Sequence, residues 1–251
     1  MSTQLALDLY APPAPTLSNF VDGDNAEALA RLRALAAGER THRFVYLWGA
    51  PGSGRSHLLA ALAGGRPVLG PATPVDAFAA ADAHGRAGAP STNDAPAPAP
   101  PAVIAVDDVE HLDAPCQEAL FHLFNRVQSR AGLALVCAGA RPPLALPVRE
   151  DLRTRLGWGL VFELHLLTDA QKASALRGAA GARGVVLAPD VVPWLLTHHS
   201  RDLRALLAAF DALDRFAFER KRPITLPLLR EWLARPAGDD LDRSRTAGKI
   251  P

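Results

Sequence analysis

The stretch FVYLWGAPGSGRSHLL, residues 44–59, joins an apolar run, a glycine-rich turn and the start of a helical pattern. Gly49 and Gly54 occupy the two glycine positions of G-x-x-x-x-G-K-[ST], and Ser56 supplies the terminal hydroxyl. Glycines let backbone N–H groups turn toward phosphate oxygens, and a helix that begins near Arg55 points the positive end of its dipole at the same anion. The stretch therefore predicts a strand, a phosphate-binding loop and a helix.

One position of this loop departs from the motif. Arg55 stands where the motif has a lysine, and a planar guanidinium does not simply replace a compact ammonium. We therefore expect binding of ADP or ATP with weak hydrolysis, and Mg²⁺ ligated by Ser56. An ordinary glycine-rich turn after a strand is the alternative. The loop residues expected to contact the nucleotide are Gly49, Pro51, Gly52, Ser53, Gly54, Arg55, Ser56 and His57.

A second apolar run ends in two carboxylates. Residues 103–106 read Val-Ile-Ala-Val and are followed by Asp107 and Asp108, as expected of a buried parallel strand. Acidic groups at the carboxyl end of a strand beside a phosphate loop hold magnesium and orient a water. We assign Asp107 to the magnesium and Asp108 to the water.

Composition limits the classes of protein to consider. The 251 residues are 49% hydrophobic and 21% charged, with a formal net charge of +1, which suits one large or two modest globular domains and gives no strong case for a dedicated nucleic-acid surface. Cys116 and Cys137 match no metal-ligand or redox spacing. With neither a charged leader nor a membrane-length apolar run, we expect a cytoplasmic location and no membrane partner.

The periodicity predicts two domains. Alternating strand and helix patterns over residues 17–166 predict an α/β domain with a parallel sheet flanked by helices, including a short strand at 67–70. An Ala- and Pro-rich stretch at 83–102 reads as a mobile insertion, and 236–251 as a loose tail. Residues 167–235 predict a small all-helical domain, with Thr168 as an N-cap and Pro189 and Pro227 in first turns. Its helices are expected at 169–183, 189–199, 201–220 and 225–235.

The first 16 residues form a separate tail. Leu5, Leu7 and Leu9 alternate, so an extended peptide would place all three on one face, with Gln4 as a polar anchor and a proline-rich connector behind. Such a segment suits a hydrophobic groove on a partner. An edge strand or a disordered terminus is the alternative.

Four segments in this order resemble the AAA+ ATPases of the DnaA group: 49–56, 103–108, Arg-Thr-Arg-Leu-Gly-Trp-Gly at 153–159, and Ser-Arg-Asp-Leu-Arg at 200–204. The resemblance covers about residues 17–235 and implies a P-loop AAA+ sheet domain followed by a helical lid. We expect no counterpart of the group's helix-turn-helix DNA-binding domain. Within the group, the chain is most similar to the regulatory inactivators of DnaA.

The resemblance also implies roles for two arginines. Arg155 corresponds to the arginine finger, which completes the nucleotide site of a neighbouring subunit, and Arg204 to the sensor arginine of the lid. The strand after Leu133 ends in Ala138-Gly139-Ala140, where the group usually places polar groups that sense the outer phosphate. Together with Arg55, this argues for weak intrinsic turnover.

The implied function is regulation of replication initiation. Bound through residues 4–9 to the sliding clamp, the beta subunit of DNA polymerase III, the chain would stimulate hydrolysis of DnaA-bound ATP. DNA would be an indirect partner through the clamp, and a homo-oligomer is possible. The alternative is a DnaA-like ATPase that acts as a loader or recruitment factor at DNA. A third hypothesis, a small-molecule phosphotransferase, is poorly supported, since the sequence shows no set of residues near the loop that would bind a phosphate acceptor.

Overall fold

The computed structural model describes residues 14–81, 102–198 and 202–234. The chain divides into two compact units, with the boundary between Leu167 and Thr168. The predicted clamp-binding residues Gln4, Leu5, Leu7 and Leu9 lie outside the described residues, as do the tail at 236–251 and all of the predicted insertion except Ala102. No described helix has the length and apolar character needed to cross a bilayer.

A four-stranded parallel sheet forms the centre of the N-terminal unit. Its strands are β1 (Phe44–Trp48), β2 (Ala102–Val106), β3 (Leu133–Gly139) and β4 (Leu160–Glu163), in the spatial order β2-β3-β1-β4. β1 pairs with both β3 and β4, β2 pairs with β3, and all three pairings are parallel. The carboxyl ends of the strands therefore share one edge, where α/β sheets bind ligands. This confirms the predicted α/β class.

Helices cover both faces of the sheet because side chains alternate along β1. Tyr46 packs into one core with α4 (Ala114–Ser129) and α5 (Glu150–Leu156). Val45 and Leu47 pack into the other core with α1 (Ala26–Ala36) and α2 (Arg55–Ala63). A further helix, α3 (Val75–Ala80), buries Phe78 in the first core. Short 3₁₀ helices span Val109–His111 and Pro143–Ala145.

The strand predicted at residues 67–70 is reduced to a single parallel bridge between Leu69 and Val106. The Leu69 N–H donates to Ala105, and the Leu69 carbonyl accepts from Asp107. Leu69 directs its N–H and carbonyl at β2, so the next N–H groups on that side would come from residues 67 and 71, and both are prolines. The pairing therefore stops after one residue.

The C-terminal unit consists of helices in its described part: α6 (Asp169–Ala182), α7 (Val191–His198), α8 (Leu203–Arg220) and α9 (Leu226–Leu233). Thr168 caps α6 through a reciprocal capping box with Gln171, as predicted. Pro227 lies in the first turn of α9, also as predicted. The prediction for Pro189 was wrong, since α7 begins two residues later. The apolar faces of all four helices form one core.

Gly159 fixes the approach of β4 to β1. A Cβ atom at this position would collide with the backbone carbonyl of Phe44, which cannot move without disturbing the central strand. We expect Gly159→Ala to lower the free energy of unfolding by about 3 kcal/mol, measured by urea denaturation. Gly132→Ala is the matched control in the same unit, because a Cβ there meets nothing within 4 Å. Equal stability of the two variants would contradict this packing.

Candidate nucleotide-binding site

The loop between β1 and α2 has the backbone of an anion cradle. Gly52 and Gly54 adopt left-handed conformations with φ of 86° and 94°, which glycine adopts at no steric cost. The Ser53 N–H donates to the Ala50 carbonyl at 3.1 Å, closing the turn, and Gly54 is the N-cap of α2. A Cβ at Gly49 would collide with the Leu164 carbonyl and crowd the Ser53 hydroxyl. The turn therefore ends at the N-terminus of α2, where backbone N–H groups are free to bind an anion.

Two polar atoms of this loop are buried without a partner within the described part of the chain. They are the hydroxyl oxygen of Ser53, a residue only 5% exposed, and Nη1 of Arg55. A buried donor without an acceptor costs roughly 1–3 kcal/mol. Both groups sit in or beside the cradle and carry hydrogens suited to phosphate oxygens. These residues fit a bound phosphate group.

Ser56 and Asp107 meet at the end of the sheet. The Ser56 hydroxyl donates to Asp107 Oδ2 at 2.6 Å, and Asp107 Oδ1 accepts the Asp108 N–H at 2.9 Å. A hydroxyl and a carboxylate are hard oxygen ligands of the kind that Mg²⁺ takes beside phosphates. The structure thus brings together the two residues that the sequence predicted as magnesium ligands, and their chemistry fits that ion.

Arg55 and Asp108 form an ion pair. Arg55 Nη2 lies 3.5 Å from Asp108 Oδ1, and the Arg55 side chain is only 12% exposed, against 46% for Asp108. Asp108 adopts a left-handed backbone with φ of 48°, which is uncommon outside glycine, asparagine and aspartate. The basic residue of the loop is therefore engaged by the carboxylate that was expected to orient a water.

Glu110 is a site residue that the sequence analysis missed. Its Oε1 accepts the Ala140 N–H at 2.7 Å, so a carboxylate lies at the strand end where Ala138, Gly139 and Ala140 offer no polar side chain. Nearby, the Tyr46 hydroxyl donates to the Arg141 carbonyl at 2.8 Å. Burial, and secondarily the charge of Glu110, raises the pKa of Tyr46, which stays a neutral donor. The only sequence signal for Glu110 was its place two residues after Asp108.

The segment before α1 also reaches the loop. The Thr16 carbonyl lies 3.0 Å from Nε2 of His57, and the ring centroids of Phe20 and His57 are 5.5 Å apart. A Cβ at Gly54 would come within 2.5 Å of the Phe20 ring. His57, predicted to contact the nucleotide, thus packs against residues 16–20, which the sequence analysis did not assign to the site.

The two arginines implied by the resemblance lie in different units. Arg155 is in the last turn of α5, where its guanidinium lies 4.0 Å from the Trp158 ring centroid and 4.8 Å from that of Phe121. Arg204 is exposed in the first turn of α8, and its backbone N–H donates to Asp202. Within the N-terminal unit, the Arg155 side chain takes no part in the contacts that join the loop to Asp107 and Asp108.

Solved structures share this fold. Domain III of the replication initiation protein DnaA from Thermotoga maritima matches with a TM-score of 0.66 and 20% identity, over 89% of this chain and 97% of that one. AMPPCP-bound DnaA from Aquifex aeolicus matches with a TM-score of 0.60 and 21% identity, over 84% and 68%. The RuvB Holliday junction branch migration motor of Thermotoga maritima reaches 0.60 at 18% identity, over 87% and 71%.

These likenesses and the four-stranded parallel sheet define the fold as that of a DnaA-like AAA+ protein. Residues 169–233 match the family model of the Hda lid domain. The chain therefore has the fold of DnaA domain III, and its helical unit is similar to the Hda lid domain.

The cradle predicts that a nucleotide stabilises the folded protein. A ligand that binds only the native state, at a hundredfold excess over its Kd, adds about 2.7 kcal/mol to the free energy of unfolding. We expect Mg²⁺-ADP to raise the melting temperature measured by calorimetry. Gly54→Ala, which strains a left-handed position and displaces Phe20, should abolish the increase.

Gly64→Ala is the control for this experiment. Gly64 is also left-handed, at the opposite end of α2, and a Cβ there meets only an atom 4.0 Å away. This variant should be less stable yet keep the increase with nucleotide. If the melting temperature of the folded wild-type protein does not change with ADP or ATP, the loop is an ordinary glycine-rich turn and not a nucleotide-binding site.

Proposed function

We propose that this protein regulates replication initiation by donating Arg155 to the ATP site of DnaA while it is bound to the sliding clamp. The observation that carries the proposal is the contrast between two arginines in one unit. Arg55, in the loop, is paired with Asp108. Arg155 forms no ion pair with any described residue, and its charge remains available to a partner.

The chain's own site is poorly equipped for rapid hydrolysis. A water-orienting carboxylate must be free to accept a hydrogen bond from the attacking water. Asp108 shares its charge with Arg55 across 3.5 Å, and at the end of β3 the Ala140 N–H is already taken by Glu110. Both contacts support binding without efficient turnover.

Arg155 has the chemistry required of a finger. By contrast, a carboxylate pairs with each of four other arginines: Arg149, Arg183, Arg220 and Arg222. The planar guanidinium presents a fork that spans two phosphate oxygens and offsets charge that develops on a transferred phosphoryl group. Donated to DnaA, it would act on that protein's ATP.

The bound nucleotide of the chain itself has a structural role in this proposal. The backbone N–H groups at the N-terminus of α2, the Ser53 hydroxyl and Arg55 would hold the phosphates, and Ser56 and Asp107 would hold Mg²⁺. When bound there, magnesium would supply neutralisation of phosphate charge. ADP suffices for this role, because no step on DnaA requires turnover in the chain's own cradle.

Residues 4–9 supply the attachment to the clamp. An extended peptide with Leu5 and Leu7 on one face and Gln4 at its start fits a hydrophobic groove. A proline-rich sequence follows at 11–15, and such sequences act as semi-rigid spacers. Attachment to the clamp would restrict the activity to replicating DNA.

Arg155→Ala tests the donated arginine. We expect it to remain folded and clamp-bound but to lower the stimulated hydrolysis of DnaA-bound ATP by on the order of a hundredfold or more, since a finger supplied in trans contributes roughly 10³ to 10⁵ in well-measured systems. Arg155→Lys should not restore the rate, because an ammonium lacks the planar fork. The measurement is phosphate release from ATP-loaded DnaA with clamp and DNA.

Arg153→Ala is the matched control, since it removes an arginine from the same helical turn and should leave the stimulated rate within about twofold. Full stimulation by Arg155→Ala would reject the donated arginine. Rapid ATP turnover by the wild-type chain without DnaA would instead favour the loader-type ATPase.

The clamp contact makes a separate prediction. Gln4→Ala/Leu5→Ala should weaken clamp binding more than tenfold, because loss of a buried leucine costs on the order of 2 kcal/mol or more. Asp8→Ala, on the opposite face of an extended peptide, should bind as wild type. Calorimetric titration with purified clamp measures both. Wild-type affinity of the double variant would refute this attachment.

A further inference from the structure

The guanidinium of Arg155 lies between two aromatic rings. Its central carbon is 4.0 Å from the Trp158 ring centroid and 4.8 Å from the Phe121 ring centroid. Both distances are within the roughly 6 Å over which an aromatic face attracts a cation. Trp158 comes from the turn after α5 and Phe121 from α4, so the two rings approach the guanidinium from different elements.

Backbone hydrogen bonds fix the position of Trp158 relative to Arg155. The Trp158 N–H donates to the Arg155 carbonyl at 3.1 Å, and the Gly157 N–H donates to Thr154 at 3.2 Å. The next residue, Gly159, is packed against the Phe44 carbonyl so closely that no Cβ fits. The position of the indole is thus set by the end of α5 on one side and by β1 on the other.

The rings orient the charge without neutralising it. A carboxylate would satisfy the guanidinium and lower its affinity for a phosphate, whereas an aromatic face fixes its plane and leaves the in-plane N–H groups available. Nη1 of Arg155 is buried and has no hydrogen-bond acceptor in the described part of the chain. Arg155 as a whole is only partly buried, so its remaining guanidinium N–H groups, beside a Trp158 residue that is 51% exposed, suit a group that finds its acceptor on another molecule.

We propose that Trp158 is a positioning residue for Arg155: its indole holds the guanidinium in the plane in which it is presented to the partner's nucleotide. This inference rests on the proposed function and adds the device that makes the finger effective. Without the indole, the arginine keeps its charge and its place in the chain but samples other rotamers. Removal of the indole should therefore lower the maximal rate of DnaA-bound ATP hydrolysis and leave the binding of DnaA unchanged.

The kinetic test compares Trp158→Leu with Trp158→Phe in the clamp-dependent hydrolysis of DnaA-bound ATP. Leucine keeps apolar bulk without an aromatic face, so the maximal rate should fall on the order of tenfold, while the half-saturating DnaA concentration stays within about twofold. Phenylalanine restores the face and should recover most of the rate. Phe218→Leu removes another exposed aromatic ring, 78% exposed in α8, and should have wild-type kinetics.

Three outcomes would overturn the positioning role: Trp158→Leu at the wild-type maximal rate, a change confined to the half-saturating concentration, or no recovery with phenylalanine. Arg155→Ala, measured in parallel, separates this result from the proposed function. If Arg155→Ala loses stimulation and Trp158→Leu does not, the finger stands and the positioning role fails. If neither loses it, the proposed function itself fails.

Fluorescence tests the contact without DnaA. A guanidinium stacked on an indole alters the emission of that tryptophan, so Arg155→Ala should change the emission spectrum of the wild-type protein. The same substitution in a Trp158→Phe background should leave the spectrum of the remaining tryptophans unchanged. An identical change in both backgrounds would place the effect elsewhere and contradict the stack.

Discussion

The hydrogen bond from the Ser56 hydroxyl to Asp107 holds the candidate site together. β3 lies between β1 and β2 in the sheet, so the loop after β1 must cross the end of β3 to meet the end of β2. The 2.6 Å hydrogen bond between Ser56 and Asp107 joins the start of α2 to the end of β2. The left-handed glycines allow this contact because they turn the chain from β1 into α2 within a few residues. The cradle, the magnesium ligands and the neighbouring Arg55–Asp108 pair depend on this one approach.

Arg55 and Arg155, both in the N-terminal unit, lie in different electrostatic surroundings. A carboxylate draws Arg55 into the chain's own site and lowers the charge available for catalysis there. Arg155 is held by aromatic rings, which orient a cation without neutralising it. The same side-chain type is thus engaged at one place and kept available at the other, as expected of a protein that acts on another protein's nucleotide.

Local patterns predicted the elements well and the contacts between them less well. The apolar runs at 44–48 and 103–106 gave their strands, and the spacing from Gly49 to Ser56 gave the loop, because each signal lies within a dozen residues. The prediction of a short strand at 67–70 was wrong because the prolines at 67 and 71 end its pairing. Glu110 on Ala140 and Phe121 on Arg155 join residues about 30 positions apart, and no local pattern encodes such pairings.

In the proposed function, the chain acts on the ATP of DnaA and not through its own turnover. Asp108→Asn is the variant that tests this proposal, because asparagine tolerates the left-handed backbone at this position and removes the carboxylate that would serve intrinsic hydrolysis. The measurement is single-turnover conversion of ATP preloaded on DnaA, with clamp and DNA. The account predicts a rate within about twofold of wild type. A loss of stimulation by Asp108→Asn, in a folded protein that still binds nucleotide and clamp, would contradict it.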